Sequence, residues 1–115
     1  MEESCIFCKI AAGQIPCKKA YEDDQVLAFF DINAQAPAHV LIIPKKHIPS
    51  ALSLQPEHDA LLGGMFRAAQ KIARDLGVDQ TGFRLVYNTG ADARQSVPHV
   101  HMHLLGGREL AWPPG

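Results

Sequence analysis

Seven residues, His99-Val100-His101-Met102-His103-Leu104-Leu105, alternate imidazole with apolar side chains. A period of two is the strand period, because successive side chains leave a strand on opposite faces. As a strand over about 99–105, the segment places His99, His101 and His103 in one row, neighbours roughly 6.5–7 Å apart. Val100, Met102 and Leu104 then form a second row that can enter a core. Half of the six histidines fall in this stretch, a candidate site on a rigid element.

The rest of the chain supplies elements for that strand to pair with. Cys5 to Ala12 reads as a short helix, with Ser4 as N-cap and Gly13 as stop; Ile6, Phe7 and Ile10 point inward. Ala20-Tyr21-Glu22 is a short strand and Asp23-Asp24 a turn. Gln25 to Asp31 and His39 to Ile43 are strong apolar strands, the second ended by Pro44, and their closeness predicts antiparallel pairing. A long helix starts near Pro56 and stops at Gly77. Leu61, Leu62, Met65, Phe66, Ala69, Ile72, Ala73 and Leu76 recur at its period and form its inner face. Gly63-Gly64 inside it costs roughly 1 kcal/mol each against Ala and leaves room for, without requiring, a close approach by a neighbouring element. Phe83 to Asn88 is a further strand, and Thr89 to Pro98 a loop that runs into the histidines. Strands adjacent in sequence, without βαβ alternation, predict an α+β fold with a mostly antiparallel sheet and the long helix on its apolar face.

At 115 residues, one domain over 1–115 is expected. A net charge of −1 gives no electrostatic footprint for nucleic acid or a membrane surface. No apolar run reaches the ~20 residues of a membrane span. The acidic start, Met1-Glu2-Glu3-Ser4, lacks a signal-peptide layout, so a cytoplasmic, reducing compartment is expected. Cys5, Cys8 and Cys17 are then thiols, catalytic groups or metal ligands rather than disulfides.

Imidazole titrates at about pH 6.5, so one histidine can attack as a neutral nucleophile while a neighbour donates to a developing oxyanion. With loop N–H groups and the Ser96 hydroxyl alongside, the row suits phosphate. A metal held by two of the three histidines and a merely solvated polar face are the competing readings.

The histidine row, Phe30-Asp31-Ile32, Gln35-Ala36-Pro37, His39, Ile42 to Ile48, Asn88, Gln95-Ser96-Val97, Gly106-Gly107-Arg108 and Trp112-Pro113-Pro114-Gly115 together resemble the histidine triad (HIT) family, in its Hint branch. The resemblance spans nearly the whole chain. It implies a HIT-like fold: a five-stranded antiparallel sheet with one long and one short helix, forming a homodimer with a continuous ten-stranded sheet. It implies hydrolysis of purine nucleoside 5′-phosphoramidates, AMP or GMP joined to an amine, through a nucleotidyl-histidine. His101 would be the nucleophile, His103 the contact to phosphate oxygens, Ser96 the aid to the leaving amine and His39 the support. Asp31 and Ile32 would meet the ribose and base, and Asn88 with Gln95, Ser96 and Val97 the phosphate. Pro98 and Arg94 depart from the family pattern, which usually has an aromatic residue and glycine there. Some members with a Cys-x-x-Cys start hold a structural zinc. The matching residues here are Cys5, Cys8, His47 and His99, a closed Cys₂His₂ set. No redox or organic cofactor is implied. The tail at Trp112 would reach the partner subunit's site. Dinucleoside polyphosphate hydrolysis, a metal-dependent enzyme on His101 and His103, and a zinc-stabilised nucleotide-binding regulator are the alternatives.

Overall fold

The structure, a computed structural model, describes residues 2–115. Helix α1 (Ile6–Ala11) leads to strands β1 (Lys19–Glu22), β2 (Val26–Phe30) and β3 (Ala38–Pro44). Two single 3₁₀ turns, Ala51–Ser53 and Pro56–His58, precede helix α2 (Asp59–Asp75); β4 (Phe83–Tyr87) and β5 (Met102–Gly106) follow. All neighbouring strands are antiparallel, in the order β1-β2-β3-β5-β4. The α+β expectation and every predicted strand are present. Among the described residues no helix is long and apolar enough to cross a membrane.

β3 is central, and all seven of its residues are buried. Such an uninterrupted apolar run needs cover on both sheet faces. On one face α2 packs Met65, Ala68, Ala69, Ile72 and Ala73 against Val26, Ala28, Val40, Ile42, Met102 and Leu104. On the other, α1 brings Cys5, Phe7 and Cys8 onto Leu27, Phe29, Leu41 and Ile43. Leu41 lies opposite His103 in register, so the histidines emerge on the α1 side.

Several details differ from the sequence reading. Cys5, not Ser4, caps α1: its sulfur accepts the Cys8 N–H at 3.3 Å. Ile6 and Phe66 are nearly half exposed, each one step off the buried stripe of its helix. Neither glycine of α2 answers to a close approach, since a Cβ at Gly63 would touch nothing and one at Gly64 only Val26, at 3.9 Å. The histidine strand starts at Met102 rather than His99. Its last ladder partners on both sides, Ile42 and Tyr87, pair with Met102. Upstream the chain peels away: Val100 N–H donates to the Ile48 carbonyl at 2.6 Å and His99 N–H to that of Val97 at 2.8 Å. Pro98, which has no N–H to offer a ladder, lies four residues upstream of the last paired residue.

Candidate active site

The three histidines keep one side of the chain but not an even row. His101 and His103 have ring centroids 5.1 Å apart, whereas His99 packs beside His47, also at 5.1 Å. Phe7 of α1 sets its edge against both His99 and His101, at 5.9 and 5.1 Å. His99 is wholly buried and His101 nearly so, at 4% exposure; His103 is partly open.

Hydrogen bonds assign the ring protons. The His101 Nδ1 lies 2.8 Å from the His99 carbonyl, which can only accept, so Nδ1 carries the proton. Its Nε2 is left with a free lone pair. The Gln35 N–H donates to His39 Nδ1 at 3.0 Å, so a neutral His39 is protonated on Nε2. That N–H donates to His103 Nδ1 at 2.9 Å, with an Asp31 carboxylate oxygen 3.4 Å away. His103, when neutral, must then carry its proton on Nε2. Burial holds all three rings neutral: it pushes His39 and His101 below the ordinary imidazole value. His103, also facing His101 and His39, falls to about 4.

A cavity of about 610 Å³ is lined not by the histidines themselves but by residues that touch or face them, Phe7 beside His101, Leu41 opposite His103 and Asp31 beside His39. Apolar Phe7, Phe29, Phe30 and Leu41 line it, and Asp31, Ile32, Ser96 and Val97 edge it. Ile32 is almost wholly exposed at its mouth. Asp31 also accepts the Asn33 N–H. Gln95 does not face this space as a free amide: it accepts from Gly90 N–H and donates to the Pro49 and Val97 carbonyls. Asn88 is half-buried just beyond β4 and does not line the cavity. Four contributors escaped the sequence reading. The Gln35 N–H and the His99 carbonyl are backbone groups without a residue signature. Phe7 looked like ordinary core, and Arg108 looked like the end of a strand. Its guanidinium clamps the Gln35 carbonyl at 2.9 and 3.2 Å, fixing the loop that serves His39.

Cys5 Sγ, Cys8 Sγ and one ring nitrogen each of His47 and His99 all lie within 4.8 Å of one another. Cys5 and Cys8 approach His99 Nδ1 at 3.3 and 3.5 Å, and Cys8 approaches His47 Nδ1 at 3.2 Å. Tetrahedral zinc with ordinary bond lengths sets S···N edges of about 3.6 Å, so the donor set fits one metal ion. His99 Nε2 donates to the Pro44 carbonyl at 2.8 Å, leaving Nδ1 as the free donor atom.

The HIT domain family model matches residues 12–110. The chain belongs to the HIT family. This HIT protein is 48% identical to the purine nucleoside phosphoramidase of Escherichia coli over 110 residues, 96% of this chain and 92% of that one. It is 51% identical to a HIT-like protein of Synechocystis over the full length of both. A crystal structure of a HIT family hydrolase from Legionella pneumophila superposes with a TM-score of 0.95, at 48% identity, covering 96% of this chain and 99% of that one. A histidine triad protein from Clostridium difficile gives 0.93 at 46% identity, with 96% of each chain covered. Cys5 and Cys8 lie outside the matched segment, so the metal-ligand set is not a property of the domain match alone.

Proposed function

We propose that this HIT protein hydrolyses purine nucleoside 5′-phosphoramidates through a nucleotidyl-His101 intermediate. One observation carries the reading. The His99 carbonyl holds the His101 Nδ1 proton, so the unprotonated Nε2 is the atom free to attack. The cavity supports the substrate class, with apolar walls for a purine and the Asp31 carboxylate as an acceptor for ribose hydroxyls.

His101 Nε2 attacks the α-phosphorus and the P–N bond breaks. The departing nitrogen takes the Ser96 hydroxyl proton and leaves as a neutral amine, and Ser96 regains a proton from the water that attacks in the second step. The ring becomes cationic as it bonds to phosphorus, and the His99 carbonyl already accepts from Nδ1–H, which favours that charge. His103 Nε2–H donates to a phosphate oxygen while His39 fixes its tautomer. Gln95 braces the 90–97 loop, and Asn88 with the Gln95–Val97 backbone steadies the phosphate. Water then attacks phosphorus, breaks the P–Nε2 bond and releases AMP or GMP.

Cys5, Cys8, His47 and His99 would hold a structural zinc; when bound, it ties α1 to the catalytic segment and takes no part in bond breaking. The chain would work as a homodimer. β1 is a protected edge, bulged between Lys19 and Tyr21 and carrying the Lys19–Glu22 ion pair, whereas β4 offers an open one. Pairing β4 with the partner's β4 makes a ten-stranded sheet. Free thiols suit a cytoplasmic setting.

The test is adenosine 5′-phosphoramidate, with and without chelator, followed by mass spectrometry of the protein. A nucleotidyl adduct on His101 that resists chelator is expected, with kcat/KM falling on the order of 10⁴-fold in His101→Ala. Turnover that stops with chelator while the fold survives would favour a catalytic metal, for which Asp31, His39 and His103 are the clustered donors. Binding without turnover would favour a regulator.

A further inference from the structure

We propose that Arg94 selects substrates whose leaving amine carries a carboxylate; the inference rests on the hydrolase reading above. Arg94 is the one non-glycine residue with positive φ among the described residues, at +61°. Glycine enters that region freely and a residue with a Cβ does not. The surrounding bonds hold it there. Arg94 N–H donates to the Ala91 carbonyl at 3.0 Å and Gln95 N–H to that of Gly90 at 3.1 Å. The Gln95 side chain pins the same turn to Pro49 and Val97. Arg94 is therefore set at a defined place, two residues from Ser96.

Two residues of chain span at most about 7 Å, and an extended arginine side chain is of similar length. The guanidinium is thus long enough to reach the space around Ser96, which the hydrolase reading puts on the leaving-group side of the phosphorus. It is exposed and makes no ion pair among the described residues, its near neighbour Asp92 included. Arg84 and Arg108, by contrast, spend theirs on backbone carbonyls. A free, permanently charged fork matches a carboxylate in two parallel hydrogen bonds. Nucleoside phosphoramidates of amino acids, with a carboxylate one carbon from the scissile nitrogen, present that group.

Adenosine 5′-phosphoramidates of alanine and of alaninamide differ in that charge and little else. The alanine-to-alaninamide ratio of kcat/KM should fall about fivefold in Arg94→Gln and in Arg94→Gly. Arg94→Lys should keep part of it, and molar salt should flatten the native ratio. A ratio unchanged by Arg94→Gln, or an equal loss on both substrates, would overturn the assignment while leaving the hydrolase reading intact. Hydrolysis of neither substrate by the native protein would sink both.

Discussion

His103 shows how a single imidazole is specified by groups that never touch substrate. The Arg108 clamp positions the Gln35 loop, Gln35 N–H fills His39 Nδ1, and His39 Nε2–H fills His103 Nδ1. The consequence is measurable as acid sensitivity. The folded His103 titrates near 4, below the roughly 6.5 of an unfolded histidine. Between those values the unfolded chain binds the extra proton, so acid favours unfolding. This contribution is fully present above about pH 6.5 and is lost as pH falls towards about 4. His39 and His101 shift in the same direction. Urea midpoints measured from pH 7.5 to 4.5 should therefore decline through that window, and His103→Gln should flatten part of the decline. At this scale the clustering of His101, His103 and His39 was legible in sequence, because an alternating histidine row beside a glycine-bearing loop is rare. Their tautomers were not, because the deciding partners at Gln35, Pro44 and His99 are backbone atoms.

Elements were read from their periods, and the misses came where a period outran its partners. The alternation continues from His99 to Leu105, but strand pairing needs neighbours, and β3 and β4 both stop matching at Met102. A period reports the face of an extended segment, not whether another chain lies alongside it. At the far end of β5, Gly106 has a reason that sequence alone did not show. A Cβ there would meet Val78 Cβ at 3.0 Å, Val78 Cγ1 at 3.1 Å and Phe83 Cβ at 3.3 Å. Gly106→Ala should cost about 1–3 kcal/mol, seen as a lower urea midpoint. Gly63→Ala in α2 meets nothing and carries no such penalty within the subunit.

For the whole molecule, the same sheet that buries β3 leaves β4 with a free edge and exposed Phe83, while α2 leaves Phe66 outward. The tail runs beside that edge, its Ala111 carbonyl held by Arg84, with Trp112 largely exposed. Phe83→Glu and Phe66→Glu should each move the protein from dimer to monomer by sedimentation; a monomeric parent would refute the assembly. The two ends of the chain meet differently. Cys5 and His99 touch across 94 residues of sequence, and the Cys5 sulfur is also the cap of α1. Burial pushes the Cys5 thiol up, so without a cation it caps as a weak neutral acceptor. A bound metal would make it a thiolate, a far stronger acceptor for the Cys8 N–H. Metal capture and the winding of the first turn would then be one event. Trypsin has a target inside that helix at Lys9. Protein with about one zinc per chain by elemental analysis should resist cutting there, and Cys8→Ser should be clipped quickly, so that a protease at one end of the polypeptide gauges the state of a site completed at the other.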